Sequence, residues 1–149
     1  MAETAWSLAD RLRKAAPIAA ALLISGALPA LAQQSANDIE MLTKHAGTWA
    51  VDCSKPGTRL GVDVKRLSLQ SGGKQLASHA PPMAAFSYYG RQEPPAGFEV
   101  ALLAEAPHAQ LAFLAMSDKT GPYLTVEADG PTLKLFGKPA LAGKFRRCP

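Results

Sequence analysis

Only two cysteines and three histidines occur in the 149 residues, and His45, His79 and His108 lie far apart along the chain. That scarcity removes several chemistries at once. A redox or zinc-knuckle site needs Cys-x-x-Cys, and a helical zinc site needs two histidines about four residues apart; neither spacing occurs. His79 and Met83 flank Pro81-Pro82 and offer one nitrogen and one thioether, too few ligands for a copper centre. A Gly-x-Ser-x-Gly elbow, a Walker loop and a dinucleotide fingerprint are all missing. Motifs therefore point to no catalytic residue, no metal ligand and no cofactor. Apolar runs are scarce too, apart from one near the N-terminus, and a single run cannot make a polytopic membrane protein. The charge excess is small, 16 Lys and Arg against 12 Asp and Glu. Such a balance gives no electrostatic footprint for nucleic acid.

The N-terminal run reads as a targeting element. Arg11, Arg13 and Lys14 form a positive region, Ala15 to Leu28 is almost wholly apolar, and Pro29-Ala30-Leu31-Ala32 places small residues before a cut after Ala32. Pro17, Gly26 and Pro29 interrupt the run, which argues against a membrane anchor of about 20 continuous apolar residues. The expectation is a signal peptide over 1–32 and one exported β domain over 33–149, periplasmic or extracellular, with no stable membrane span after cleavage. Processing would leave 117 residues with 13 basic and 10 acidic side chains, a net charge of +3.

Both cysteines survive that cut and sit near the two ends of the domain. In an oxidising compartment Cys53 and Cys148 read as a disulfide. A bridge requires Cα atoms within about 7 Å, so the first and last strands must be neighbours. A closed or nearly closed sheet satisfies this.

Hydrophobic spacing supplies the elements. Ile39, Leu42 and Ala46 recur at helical spacing, with Asn37 or Asp38 as cap and Gly47 as stop. From Gly47 the period becomes two, placing Trp49, Val51 and Cys53 on one side of a first strand. Leu60, Val62 and Val64 form a second strand, and a bulge near Lys65-Arg66 would restore the face for Leu67 and Leu69. A turn at Gly72-Gly73 sets Leu69 opposite Leu76, in a third strand from Lys74 to His79.

Farther along, three turns constrain one another. Turning at Glu105 to His108 sets Phe98 opposite Ala115, Val100 opposite Phe113 and Leu102 opposite Leu111. Turning at Ser117 to Pro122 sets Phe113 opposite Val126 and Ala115 opposite Leu124. A last turn at Asp129-Gly130 sets Val126 opposite Leu133 and Leu124 opposite Leu135, with Pro131 fitted by a four-residue loop. All these pairs share one face, and a one-residue slip would invert a strand. The opposite face holds Ala101, Leu103, Ala112, Leu114, Met116, Tyr123 and Phe136, too apolar for full solvation. The N-terminal helix is the first candidate to cover it, and a partner protein or membrane surface the second.

Ala80 to Gly97 lacks a clear period and carries Pro81-Pro82 and Pro94-Pro95 around Phe86, Tyr88, Tyr89 and Arg91. Long loops of this kind are often functional. One reading is a crossover whose Phe86 plugs the core. The other is a recognition loop binding through Phe86, Tyr88, Tyr89 and Arg91, residue types enriched at interface hot spots. The basic C-terminus, Lys138, Lys144, Arg146 and Arg147, suits either an anionic surface or the guarded edge of a final strand with Phe145 inward.

The fold expected is all-β: a small antiparallel β-barrel or strongly curved meander sheet of about seven to eight strands with a short N-terminal helix. In outline it resembles the periplasmic inhibitors of c-type lysozyme and, more loosely through Gly47-x-Trp49 after a short helix, the lipocalin-type barrels. No functional residue carries over from either. The function expected is a non-catalytic binding module, possible as an inhibitor type, with an unknown protein or a small apolar ligand as partner. A lipocalin-like carrier would need an internal cavity, and a small hydrolase would need a His beside both a nucleophile and a carboxylate.

Overall fold

The computed structural model describes residues 34–89 and 92–149. The signal peptide expected over 1–32 lies outside the described residues, as does Arg91. Among the described residues nine strands and three helices follow one another: α1 (Ala36–His45), β1 (Gly47–Ala50), β2 (Arg59–Asp63), β3 (Arg66–Ser71), β4 (Lys74–Ala77), β5 (Met83–Ala85), β6 (Phe98–Ala106), β7 (Ala109–Asp118), β8 (Gly121–Val126), α2 (Gly130–Phe136), α3 (Lys138–Leu141) and β9 (Arg146–Arg147).

The chain is mostly β, in two antiparallel sheets rather than a closed barrel. One has the order β4-β3-β2-β1-β9 and the other β5-β6-β7-β8. They face each other across a core containing Trp49, Leu60, Leu67 and Leu69 from the first sheet and Val100, Leu102, Phe113 and Leu124 from the second. Single points of pairing join their edges. Leu124 and Phe145 exchange backbone bonds on one side, and His79 N–H donates to the Glu105 carbonyl on the other. The first and last strands are neighbours, with Trp49 opposite Arg147. Beyond that pair the Cys53–Cys148 disulfide spans Cα atoms 5.6 Å apart.

Helix α1 begins one turn earlier than its apolar spacing alone indicates. Ser35 is the N-cap: its hydroxyl accepts from Asp38 N–H while the Asp38 carboxylate accepts from Ser35 N–H. This reciprocal box satisfies donors that the first turn leaves free. Leu42 and His45 form the buried face, whereas Ile39 is exposed. A strand carrying Trp49, Val51 and Cys53 on one side is also corrected, because β1 ends at Ala50 and Val51 is exposed.

The parity change between Val64 and Leu67 arises from a hairpin, not a bulge. Asp63 pairs with Arg66 around Val64-Lys65, and the Asp63 carboxylate accepts from Lys65 N–H at 2.9 Å. An Asx turn of this kind reverses the chain without glycine. The expected pairing of Leu69 with Leu76 is present.

In the second sheet the faces are as expected, but one register is displaced by two residues. Val100 lies opposite Ala115, Leu102 opposite Phe113 and Ala104 opposite Leu111. The turn is the tighter Pro107-His108, with His108 at φ 60°. Proline first and a positive φ second is the pattern of a type II turn. An even displacement preserves the buried face, which is why alternation alone did not detect it. A bulge between Phe98 and Val100 then moves Phe98 to the outer face, opposite Met116. The β7–β8 pairs Phe113 with Val126 and Ala115 with Leu124 are as expected.

Gly130–Phe136 is helix α2 and not a strand against β8. Asp129 caps it by accepting from Thr132 N–H at 2.9 Å, and Pro131 occupies the first turn, where no N–H is needed. The edge of β8 that this segment was expected to take is used by Phe145 instead.

Candidate functional site

The outer face of the second sheet carries the site. Two of its cross-strand pairs set small against large, Ala101 with Leu114 and Leu103 with Ala112, and Ala85 opposite Ala101 is small on both sides. Alanines opposite leucines leave a trough where two leucines would fill it. The trough has a volume of about 470 Å³, with Ala101, Leu103, Ala112 and Leu114 as floor, Tyr88 and Tyr89 as one wall, and Gln110, Glu127 and Asp129 on the rim.

Helix α1 was the first candidate to cover this face, and that expectation is corrected. The helix packs on β5 and β2 and sends Leu42 into the main core. The loop after β5 covers part of the face instead. Tyr88 packs edge-on against Phe98, with ring centroids 5.5 Å apart, and Tyr89 packs edge-on against Tyr88 at 4.5 Å. Ala101, Leu114, Met116 and Tyr123 lie buried beside this aromatic group. The Phe98 bulge therefore anchors the loop, since without it the Phe98 ring would face the core.

Tyr89 holds φ at +43°, a left-handed conformation uncommon for an aromatic residue. Its ring is 56% exposed. Desolvation, followed by the nearby Glu127 carboxylate, pushes its hydroxyl pKa up to about 12. Glu127 itself is placed by β8, whose last step donates Glu127 N–H to the Ala112 carbonyl. Partial burial works against the Asp129 carboxylate, but bonds from Thr132 and Gln110 outweigh it and hold the group below its ordinary value. Asp129 thus caps α2 and fixes the hairpin end, with Gln110 N–H at 2.7 Å.

A second groove, of about 260 Å³, adjoins the first and shares Leu103 and Gln110 with it. Asp38, Pro82, Met83 and Glu105 line its other side. Burial opposes ionisation of Asp38, but bonds from Ala84 and Ser35 hold its pKa below the ordinary value.

Of the four loop residues singled out by sequence, the structure brings Tyr88 and Tyr89 together in the groove. Phe86 is 56% exposed and does not line it, so it does not plug the core. Gln110 and Glu127 are polar side chains of this outer face, and Asp129 stands at the expected Asp129-Gly130 turn. Their shared place on the hairpin end appears only once the β6–β7–β8 register is known. Three of the four C-terminal cations are engaged within the molecule. Lys144 and Arg146 both pair with Asp118 and flank the Tyr123 ring, while Arg147 lies 5.0 Å from the Trp49 ring.

No protein-family model, no characterised protein and no solved structure matches this chain. Its function therefore has to be argued from its own geometry. Among the described residues no three or more His, Cys, Asp or Glu side chains converge where a metal ion could sit. Among them, too, no helix is long and apolar enough to cross a membrane.

Proposed function

We propose that this protein is an exported, non-catalytic binding module whose ligand occupies the groove on the outer face of β5–β8. The observation that carries the reading is the Ala101–Leu103–Ala112–Leu114 floor, an apolar sheet face beside an exposed Tyr89 ring. A sheet face turned to water normally alternates to polar residues, and contiguous apolar surface rimmed by polar groups marks interaction sites. Export is supported by the Cys53–Cys148 disulfide and by the basic and apolar pattern of the N-terminal residues.

Two further features favour a surface site. The space between the sheets is filled by the fully buried Trp49, Phe113 and Phe145, the position a carrier would need for its ligand. Three of the hydroxyl groups serve as caps and turn fasteners rather than as free nucleophiles: Ser35 with Asp38, Ser54 with Asp52, Thr120 with Asp118.

Capture of partners from the exported fraction tests the reading when wild type is compared with Tyr88→Ala/Tyr89→Ala and with Ala112→Phe, which fills the floor. A partner retained by wild type and lost by both variants is expected. Identical partner sets for all three proteins would remove the groove from the account.

A further inference from the structure

The protein as a whole carries a positive net charge, yet the two adjoining grooves are lined by Asp38, Glu105, Glu127 and Asp129 and, among the described residues, by no Lys or Arg. Near the chain's end, Lys144 and Arg146 pair with Asp118 and flank the Tyr123 ring, and Arg147 lies beside the Trp49 ring. The lining of the two grooves therefore offers carboxylates to a cationic partner. His79 Nε2 lies 4.0 Å from the Glu105 carboxylate.

Three properties narrow what fits. The carboxylates repel phosphate, which excludes nucleic acid and anionic lipid head groups. The floor takes apolar side chains at Ala101 and Ala112, which a purely polar cation would leave unfilled. Tyr89 places an exposed aromatic face next to the Glu127 carboxylate, and an aromatic ring beside a carboxylate attracts a Lys or Arg side chain by cation–π and ionic contact together. The grooves run into each other at Leu103 and Gln110, so the surface is elongated and open to solvent. A small ligand seeks a concave site that buries most of its surface. A polypeptide segment, by contrast, gains from an elongated surface by adding contacts along its length.

We propose that the outer face of β5–β8 binds a polypeptide segment in which basic and apolar side chains alternate, the basic ones reaching Glu105, Glu127 and Asp129 and the apolar ones covering Ala101 and Ala112. The inference rests on the groove being the binding site and adds the chemistry of the partner.

Fluorescence anisotropy of the full chain with labelled peptides of about ten residues tests it. The probes are an alternating Lys-Leu peptide, its Glu-Leu counterpart and an alternating Lys-Ser peptide. Several partly exposed charge pairs reverse sign between the first two, so a preference of about tenfold or more for Lys-Leu is expected. Glu127→Gln should weaken Lys-Leu binding about two- to fivefold, and raising salt to about 0.5 M should weaken it further. Lys-Ser should bind more weakly than Lys-Leu, because the floor is left uncovered. Equal binding of Lys-Leu and Glu-Leu, with both lost in Ala112→Phe, overturns the cationic partner and leaves the groove standing. Binding of any probe that is unaffected by both Ala112→Phe and Glu127→Gln overturns the groove itself. Absence of binding by Lys-Leu overturns the inference, and a partner captured through the groove that lacks basic residues does so too.

Discussion

Leu124 and Phe145 exchange both backbone hydrogen bonds, at 2.8 and 2.9 Å, and this pair joins the two sheets at the β8 edge. Phe145 is fully buried between them. With the His79–Glu105 bond at the opposite edge, this pair ties the second sheet, and with it the outer groove, to the first.

The disulfide holds that joint from the end of the chain. Cys148 follows β9 directly, and its N–H donates to the Thr48 carbonyl at 2.8 Å. Replacing Cys53 and Cys148 by Ser frees a loop of 95 residues, and the loss expected from the unfolded-state entropy is about 2–5 kcal/mol. Denaturant titration of the double variant measures it. An unchanged midpoint would show that β9 is held by its strand contacts alone.

Gly97 supports the bulge that turns Phe98 outward. It has φ +85°, and a Cβ there would lie 2.1 Å from the Ser117 carbonyl oxygen. Gly97→Ala should therefore destabilise by about 1–3 kcal/mol through strain and clash. It should also loosen the Tyr88–Phe98 contact, seen as broadened aromatic resonances of Tyr88. A variant as stable as wild type with an unaltered aromatic spectrum would contradict this role for the bulge.

His45 gives the fold a defined response to mild acid. The ring is 2% exposed, its Nε2 has no hydrogen-bond partner, and Glu99 approaches to 3.5 Å. Burial lowers its pKa below the ordinary 6.5; Glu99 pulls upward, and Lys44 and Arg147 push down again. The folded ring stays neutral where the unfolded chain takes up a proton. Stability is therefore complete above 6.5 and is lost as pH falls from there toward the lower folded value. The denaturant midpoint should drop between about pH 7.5 and about pH 5.5, and His45→Gln should reduce that drop. A drop of equal size in the variant would assign it to other groups.

Asp118 acts in a more acidic range. Hydrogen bonds from Lys144, Thr120 and Arg146 hold its carboxyl well below the ordinary 3.8. A depressed carboxylate stabilises above the unfolded value, and that contribution fades as pH falls below 3.8 toward the folded one. Asp118→Asn should flatten the acid limb of a stability profile below about pH 4. An acid limb as steep as wild type would show that the exposed cluster contributes nothing measurable.

Much of the second sheet was legible because the two turns flanking β7 had to agree on one apolar face. The exact turn was not, since Pro107-His108 and the wider loop place the same residues inward. The α2 segment alternates at Leu133 and Leu135 and so mimics a strand, while Asp129 and Pro131 already carried the helix signals of cap and first turn. Val64-Lys65 hid a hairpin because its turn is made by an Asp side chain rather than by glycine. For the site, the apolar outward positions and Tyr88 and Tyr89 were visible as residue types. Their meeting was not, because it depends on the Phe98 bulge and on the α2 cap Asp129 bonding Gln110 N–H, both of which are tertiary facts.

The central claim is that the Ala101–Ala112 face is where this protein binds. Amide chemical-shift mapping on the isotope-labelled protein, titrated with the alternating Lys-Leu peptide, tests it most directly. The account predicts that the largest shifts fall on Tyr88, Tyr89, Ala101, Leu103, Ala112 and Glu127, with β2, β3 and β4 unmoved. Shifts centred on β3 and β4, or on Asp118 and Lys144, would contradict it.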